Sequence, residues 1–238
     1  MSTRQGGVSQ GPWASLNLGG ACGDDPAHVA ANRARFASAL GARPVWLRQV
    51  HGTTVLRLDR NSPGADLPPA DGAWTSDIGV ACTVLVADCL PVLLVARDGS
   101  AVAAAHAGWR GLAAGVLEST LQALERGADV AAKDLLVWLG PCIGPRAFEV
   151  GADVLAGFGR SPEDAEPAEF AYRPRADGSA RWLADLPALA AARLQAAGVP
   201  AASISGSGRC TVAEPSDFFS FRRDGLSGRL AAAIWRRS

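Results

Sequence analysis

Residues 80–111 read VACTVLVADCLPVLLVARDGSAVAAAHAGWRG. Two apolar runs rich in valine and leucine, Val80–Ala87 and Pro91–Ala96, have the length and composition of buried strands. Asp98-Gly99, between the second run and Ala101–Ala105, is a hairpin turn signal. The next stretch, Gly111–Arg126, changes period: Leu112, Val116, Leu121 and Leu124 recur at helical spacing, and Gly127 follows as a stop. Strands crowded into the middle of the chain, with helices outside them, predict an α+β fold rather than a regular doubly wound sheet.

Working outward, Asp25-Pro26 predicts an N-cap and first helical residue, and the helix runs to Gly41. Val45–Val50 and Thr53–Leu58 read as two strands joined by a tight turn at His51-Gly52, or as one bent strand. Residues 59–72 are rich in Pro, Gly and Asp and read as loop. Leu135–Leu139 is a further buried strand, residues 160–180 an exposed excursion, and Arg181–Ala197 an alanine- and leucine-rich helix. Val199–Ser205 and Gly228–Trp235 read as late strands. No repeat and no linker divides the chain, which predicts one domain over residues 1–238.

Composition narrows the function classes. Of 238 residues, 48% are hydrophobic, enough for a sizeable core. Lys+Arg and Asp+Glu both number 23, so no net charge favours nucleic acid or an anionic membrane as partner. Val80–Ala96 is interrupted by Thr83, Asp88 and Pro91, which argues against a membrane span. Residues 1–12 lack the apolar stretch of a signal peptide. Five cysteines without a disulfide spacing suit a reducing, cytoplasmic setting.

The chemistry concentrates at three residues. His51 stands in RQVHG, Cys89 in VADCLP and His106 in AAAHAGWRG, each at or just after an apolar run. The chain has only three histidines, and two are here. Two imidazoles and a thiolate suit zinc, and three ligands leave one position open, the mark of a catalytic rather than a structural site. A buried cysteine is ordinarily a small hydrophobe. Asp88 beside it argues otherwise, because a carboxylate there is costly without a nearby positive charge, and a divalent metal supplies one. His28 lies early in the first helix and reads as exposed. Cys22, Cys82 and Cys210 read as structural. Cys142 is available as a fourth ligand, although its flanking residues give no reason to prefer that role.

The turn His106–Gly111 enters a helix and presents backbone N–H groups to an anion, with Arg110 adding a charged fork. Arg48, near His51, and the pair Arg222-Arg223 are further phosphate candidates.

RQVHG, ADGAWT, ADCLPVLL, AAAHAGWRG, LGPCIGPRAFEVG and FFSFRRDG, in this order, closely resemble the YfiH family, also called the multicopper polyphenol oxidase or laccase-like domain. The resemblance covers nearly the whole chain. It implies a mixed β-sandwich flanked by helices, a four-layer αββα arrangement. It implies a zinc site of His51, Cys89 and His106, with phosphorolysis of adenosine, inosine and methylthioadenosine and deamination of adenosine. Copper in that site is an alternative. The partners implied are a small-molecule nucleoside and phosphate. Asp88 is the first candidate for proton carrier and Glu149 the second. Polyphenol oxidation by a multicopper centre ranks low, since three histidines cannot fill its sites. The rival reading from the same residues is a cysteine hydrolase editing cell-wall precursors, with Cys89 as nucleophile and His106 as base.

Overall fold

The computed structural model describes residues 1–64, 67–163 and 168–237. Its elements, in chain order, are α1 (Pro26–Leu40), β1 (Arg43–Trp46), β2 (Val55–Arg57), β3 (Gly72–Thr75), β4 (Val80–Val86), β5 (Leu90–Ala96) and β6 (Val102–Ala107). They continue with α2 (Trp109–Ala114), α3 (Val116–Ala128), β7 (Leu135–Leu139), β8 (Glu149–Val150), α4 (Ala152–Gly157), β9 (Phe170–Tyr172) and β10 (Trp182–Ala184). The last are α5 (Leu186–Ala196), β11 (Ile204–Gly206), α6 (Phe221–Asp224) and β12 (Leu230–Ile234).

The hairpin at Asp98-Gly99 forms as its residues require. Gly99 takes φ 74°, a conformation open to glycine, and β5 pairs antiparallel with β6. These strands lie inside a six-stranded sheet of order β11-β7-β5-β6-β3-β2. A three-stranded sheet, β1-β4-β12, packs on one face of it. The two faces are sorted by the period of two along each strand. Leu93 and Ala104 point into the core between the sheets, with Val45, Val84 and Ala232. Val92, Leu94, Ala103 and Ala105 point the other way, onto Leu117, Leu121 and Leu124 of α3. On the far side, Phe36 of α1 packs with Leu18, Trp46 and Ala231 behind the smaller sheet. The order is helix, sheet, sheet, helix, as the family resemblance implies. A small third sheet, β8-β10-β9, adds Val150, Phe170, Trp182 and Ala184 to the core that the larger sheet shares with α3.

α1 begins and ends as its sequence predicts. The Asp25 carboxylate accepts from the Ala27 N–H at 2.8 Å, and Gly41 closes the helix at φ 63°.

Elsewhere the structure corrects the sequence reading. β1 and β2 are neither a hairpin nor one bent strand. β1 runs parallel to β4 in the smaller sheet, and β2 parallel to β3 in the larger, so His51-Gly52 links the two layers. The helix over Gly111–Arg126 is two helices, because Gly115 takes φ 102° and ends α2. The segment Arg181–Ala197 opens as strand: Trp182 is buried and pairs with Val150 and Tyr172. The helix starts only after Asp185, whose side chain accepts from Ala188 N–H. The excursion at 160–180 contains β9, with Phe170 buried; its residues 164–167 lie outside the described residues, as do 65 and 66 of the loop at 59–72.

Candidate metal centre

His51, on the β1–β2 connection, and Cys89, on the β4–β5 connection, converge with His106 near the end of β6. The turn that carries His51 is held by one buried carboxylate. Asp71, fully buried, accepts from the backbone N–H groups of Val50 at 3.0 Å, His51 at 2.9 Å and Gly52 at 2.7 Å. Those bonds stabilise a left-handed backbone at His51, φ 60°. Asp71 also accepts from His106. Its Oδ1 lies 2.8 Å from His106 Nδ1, and its carbonyl takes the His106 N–H at 2.7 Å. With Nδ1 directed at the Asp71 carboxylate, Nε2 is the nitrogen of His106 that can face a ligand.

Cys89 sits where the chain crosses from β4 to β5. Asp88, at φ 91°, makes that crossing. Its carboxylate accepts from the Thr211 hydroxyl at 2.6 Å and the Arg222 N–H at 2.7 Å, and its carbonyl from the Ile143 N–H at 2.9 Å. His51 Nε2 comes within 3.8 Å of Cys89 Sγ, and the two imidazole rings meet edge to face at 4.8 Å between centroids. Gly108 closes the site from behind. A Cβ there would stand 2.7 Å from His51 Cδ2 and 2.9 Å from Cys89 Sγ, which no side chain permits.

The electrostatics follow from this packing. Burial alone would push the Cys89 thiol up, yet the charge and hydrogen bonds of His106 and His51 bring it down to about 6. Burial works against a charged His106, but the Cys89 thiolate and the Asp71 carboxylate raise it to about 9. Burial also pushes Asp71 up, and its hydrogen bonds from His106, Gly52 and Val50 outweigh that, leaving it below the ordinary carboxylate value. Cys82 and Cys142 are buried without such partners, and their thiols stand well above the usual value. The site therefore favours thiolate at Cys89 alone among these three cysteines.

The donor set fits a single metal ion. One donor atom from each of His51, Cys89 and His106 lies within 4.8 Å of the others. Tetrahedral zinc with Zn–N of about 2.0–2.1 Å and Zn–S of about 2.3 Å asks for roughly 3.3–3.6 Å between donors. Exposed His51 has room to close that difference. Cys142 is not among these donors; its backbone bridges to Cys210 instead.

The donors form part of the wall of a cavity of about 860 Å³. Asp88, Arg48, Arg110 and Arg222 line it too. Arg110 stacks on Trp109 at 4.3 Å, and Arg222 donates to the Glu149 carbonyl at 2.9 Å while its guanidinium lies over Phe148. The structure separates Arg223 from these. It does not line the cavity, and its guanidinium is committed to the carbonyls of Thr211, Val212 and Phe218 and to Asp224. The reason is that Phe221–Asp224 is a short helix rather than a strand end, so the two arginines point apart. The Glu149 carboxylate also turns away, pairing with Arg175 Nε at 2.9 Å. Asp71 escaped the sequence reading because it stands in a Pro-, Gly- and Asp-rich loop that reads as surface. Its only signal is its place in ADGAWT.

Residues 1–237 match the family model described as multi-copper polyphenol oxidoreductase laccase. The chain belongs to this laccase family. Among its relatives is a purine nucleoside phosphorylase of Pseudomonas aeruginosa, 49% identical over 235 residues, covering 99% of this chain and 91% of that one. The purine nucleoside phosphorylase YfiH of Escherichia coli is 49% identical over 236 residues, covering 98% and 91%. Among solved structures, YlmD from Geobacillus stearothermophilus superposes with TM-score 0.88 at 37% identity, covering 99% of this chain and 90% of that one. A Neisseria meningitidis protein gives TM-score 0.87 at 44% identity, covering 99% and 92%.

The laccase family's description and the donors of this member disagree on metal count. The described residues hold one cluster of metal-ligating type, with two histidines. The third histidine, His28, faces Asp24 at 3.9 Å on α1. A multicopper centre needs imidazoles for several ions, and this laccase-family chain supplies enough for one.

Proposed function

We propose that this protein is a zinc-dependent purine nucleoside phosphorylase that also deaminates adenosine, working at His51, Cys89 and His106. One observation carries the reading: a three-donor metal site with an Asp-held histidine opens on a cavity lined by arginines. The relatives of near 50% identity that bear the phosphorylase name support it.

When bound, a zinc ion would supply Lewis acidity at the cavity wall. The other parts of the chemistry fall to the chain. In phosphorolysis a phosphate oxygen bonds to C1′ of the ribose and the C1′–N9 bond breaks, its electron pair leaving with the purine. Arg48, Arg110 and Arg222 hold the phosphate by charge-assisted hydrogen bonds. The departing base takes up a proton, and Asp88, a carboxyl group on the cavity wall, is the proposed carrier. In deamination water adds at C6 of adenine and ammonia leaves, with the same carboxyl moving a proton from the water to the amine. Thr211 and the Arg222 N–H orient Asp88 for this. The protein acts on small molecules, in the cytoplasm.

The test is a panel of adenosine, inosine, methylthioadenosine and guanosine, with and without phosphate, followed by product identification on zinc-verified protein. Ribose 1-phosphate (5-methylthioribose 1-phosphate from methylthioadenosine) plus free base is expected only with phosphate, and inosine from adenosine without it. No turnover above blank in either arm overturns the proposal.

A second reading has its own observation. Cys89, His106 and Asp71 form a nucleophile–base–carboxylate line, with the thiol lowered to about 6. That line suits a cysteine hydrolase, and the reading takes an amide of a cell-wall precursor as its substrate. Alkylation distinguishes the two. Iodoacetamide should modify Cys89 quickly if the thiolate is a free nucleophile, and slowly if the protein as isolated holds it on a metal.

A further inference from the structure

The cavity carries more positive charge than a neutral nucleoside and one phosphate require. Five arginines line it: Arg33, Arg48, Arg110, Arg222 and Arg229. Among the described residues Asp88 is the only carboxylate on its wall, and both its oxygens already accept hydrogen bonds. In a chain of zero net charge this is a strong local imbalance.

Arg33 and Arg229 form a group of their own on the wall built by Gly19-Gly20. The Arg229 stem passes so close to Gly19 that a Cβ there would stand 2.5 Å from its Cγ. On the other side, Arg33 Nη2 lies 3.8 Å from the position of a Cβ on Gly20. Arg33 stacks on Trp46 at 4.3 Å and spends its Nε on the Leu18 carbonyl at 2.9 Å. Arg229 donates from Nη1 to the carbonyls of Ser227 and Gly228. Both are half-buried, and among the described residues neither pairs with a carboxylate. Partly desolvated guanidinium groups satisfied by carbonyl oxygens, with no counter-charge, are suited to an anion supplied by a ligand.

We propose that Arg33 and Arg229, with Gly19-Gly20, form a second anion subsite that takes a phosphoryl group carried by the ligand itself, so that the cavity binds a nucleoside monophosphate in preference to the nucleoside. The base and ribose lie toward the three donors and the phosphoryl group toward Gly19-Gly20. This rests on the nucleoside reading of the site above, but its readout is binding and not turnover.

The experiment is calorimetric titration of the zinc-loaded protein with adenosine 5′-monophosphate, adenosine and inorganic phosphate separately, at low and high salt. The monophosphate should bind at least about tenfold tighter than adenosine at low salt, the scale of one charge-assisted contact, and the preference should shrink as salt rises. Arg33→Gln and Arg229→Gln should each reduce the ratio of the two affinities toward one. Arg33→Lys, which keeps the charge and a long stem over Trp46, should retain most of it and so separates lost charge from lost folding. Equal affinity of monophosphate and adenosine in the wild type overturns the proposal. So does a ratio that survives in both glutamine variants, or inorganic phosphate binding as tightly as the monophosphate. A preference for the monophosphate without any turnover of adenosine would overturn the phosphorylase reading and leave the subsite standing.

Discussion

Asp71 offers no donor to the metal cluster, yet it holds two of the three donor residues: the His51 turn through backbone N–H groups and His106 through Nδ1. Asp71→Asn keeps the shape and removes the charge. Zinc affinity should fall by about 10–100-fold, the usual cost of losing a carboxylate behind a ligating histidine. Competition with a chromophoric chelator measures this, and unchanged affinity would show that Asp71 is only a turn anchor. Cys89→Ala and His106→Ala should lose bound zinc and nucleoside turnover together, while Cys142→Ala, outside the donor set, should keep both. Elemental analysis beside product assays reads the two losses, and turnover surviving without metal would contradict the shared site. The donors themselves were legible in the sequence, because histidine is scarce and each donor follows an apolar run. Asp71 was not, since nothing local distinguishes a buried loop carboxylate from an exposed one.

At the scale of elements, glycine sets the geometry around the site. Gly108 is the N-cap of α2, and a methyl group there collides with both His51 and Cys89. Gly108→Ala should therefore displace the donors and weaken zinc binding by about tenfold or more, as loss of ligand positioning does. A crystal structure of the variant with unmoved His51 and Cys89 would refute this. Gly115 divides α2 from α3 at φ 102°. Gly115→Ala should cost on the order of 1 kcal/mol or more, since a Cβ is disfavoured there. Urea unfolding checks it, and a stability gain would mean the segment can run as one helix. The sequence reading made one helix of this segment because apolar spacing carries through Gly115 almost in phase. It likewise merged β10 into α5, because alanine and leucine favour helix locally and only the pairing of Trp182 with Val150 and Tyr172 makes that stretch a strand.

At the scale of the molecule, the metal centre sits beside the two main cores rather than within them. His51 and Cys89 lie on connections between layers and His106 near the end of β6, while the sheets and helices bury separate apolar clusters. Chelation of the metal should thus abolish turnover and leave far-ultraviolet circular dichroism unchanged, with the urea midpoint lowered only by the lost binding energy. Unfolding on chelation would make the ion structural. Among the described residues no helix is long and apolar enough to cross a membrane. By itself the sequence determined the strand core from residues 80–107, the capped helix α1, the α+β class and the trio His51, Cys89 and His106 that the fold brings together. Each of these is written in local period, turn residues or scarcity of a residue type. The tertiary structure alone decided that β1 and β2 part into different sheets, that Arg223 leaves the cavity while Arg222 lines it, and that Asp71 binds the site together. Those outcomes depend on which distant backbone groups and side chains meet. Such pairings arise from burial and hydrogen bonding across the whole fold, and no window of neighbouring residues contains them.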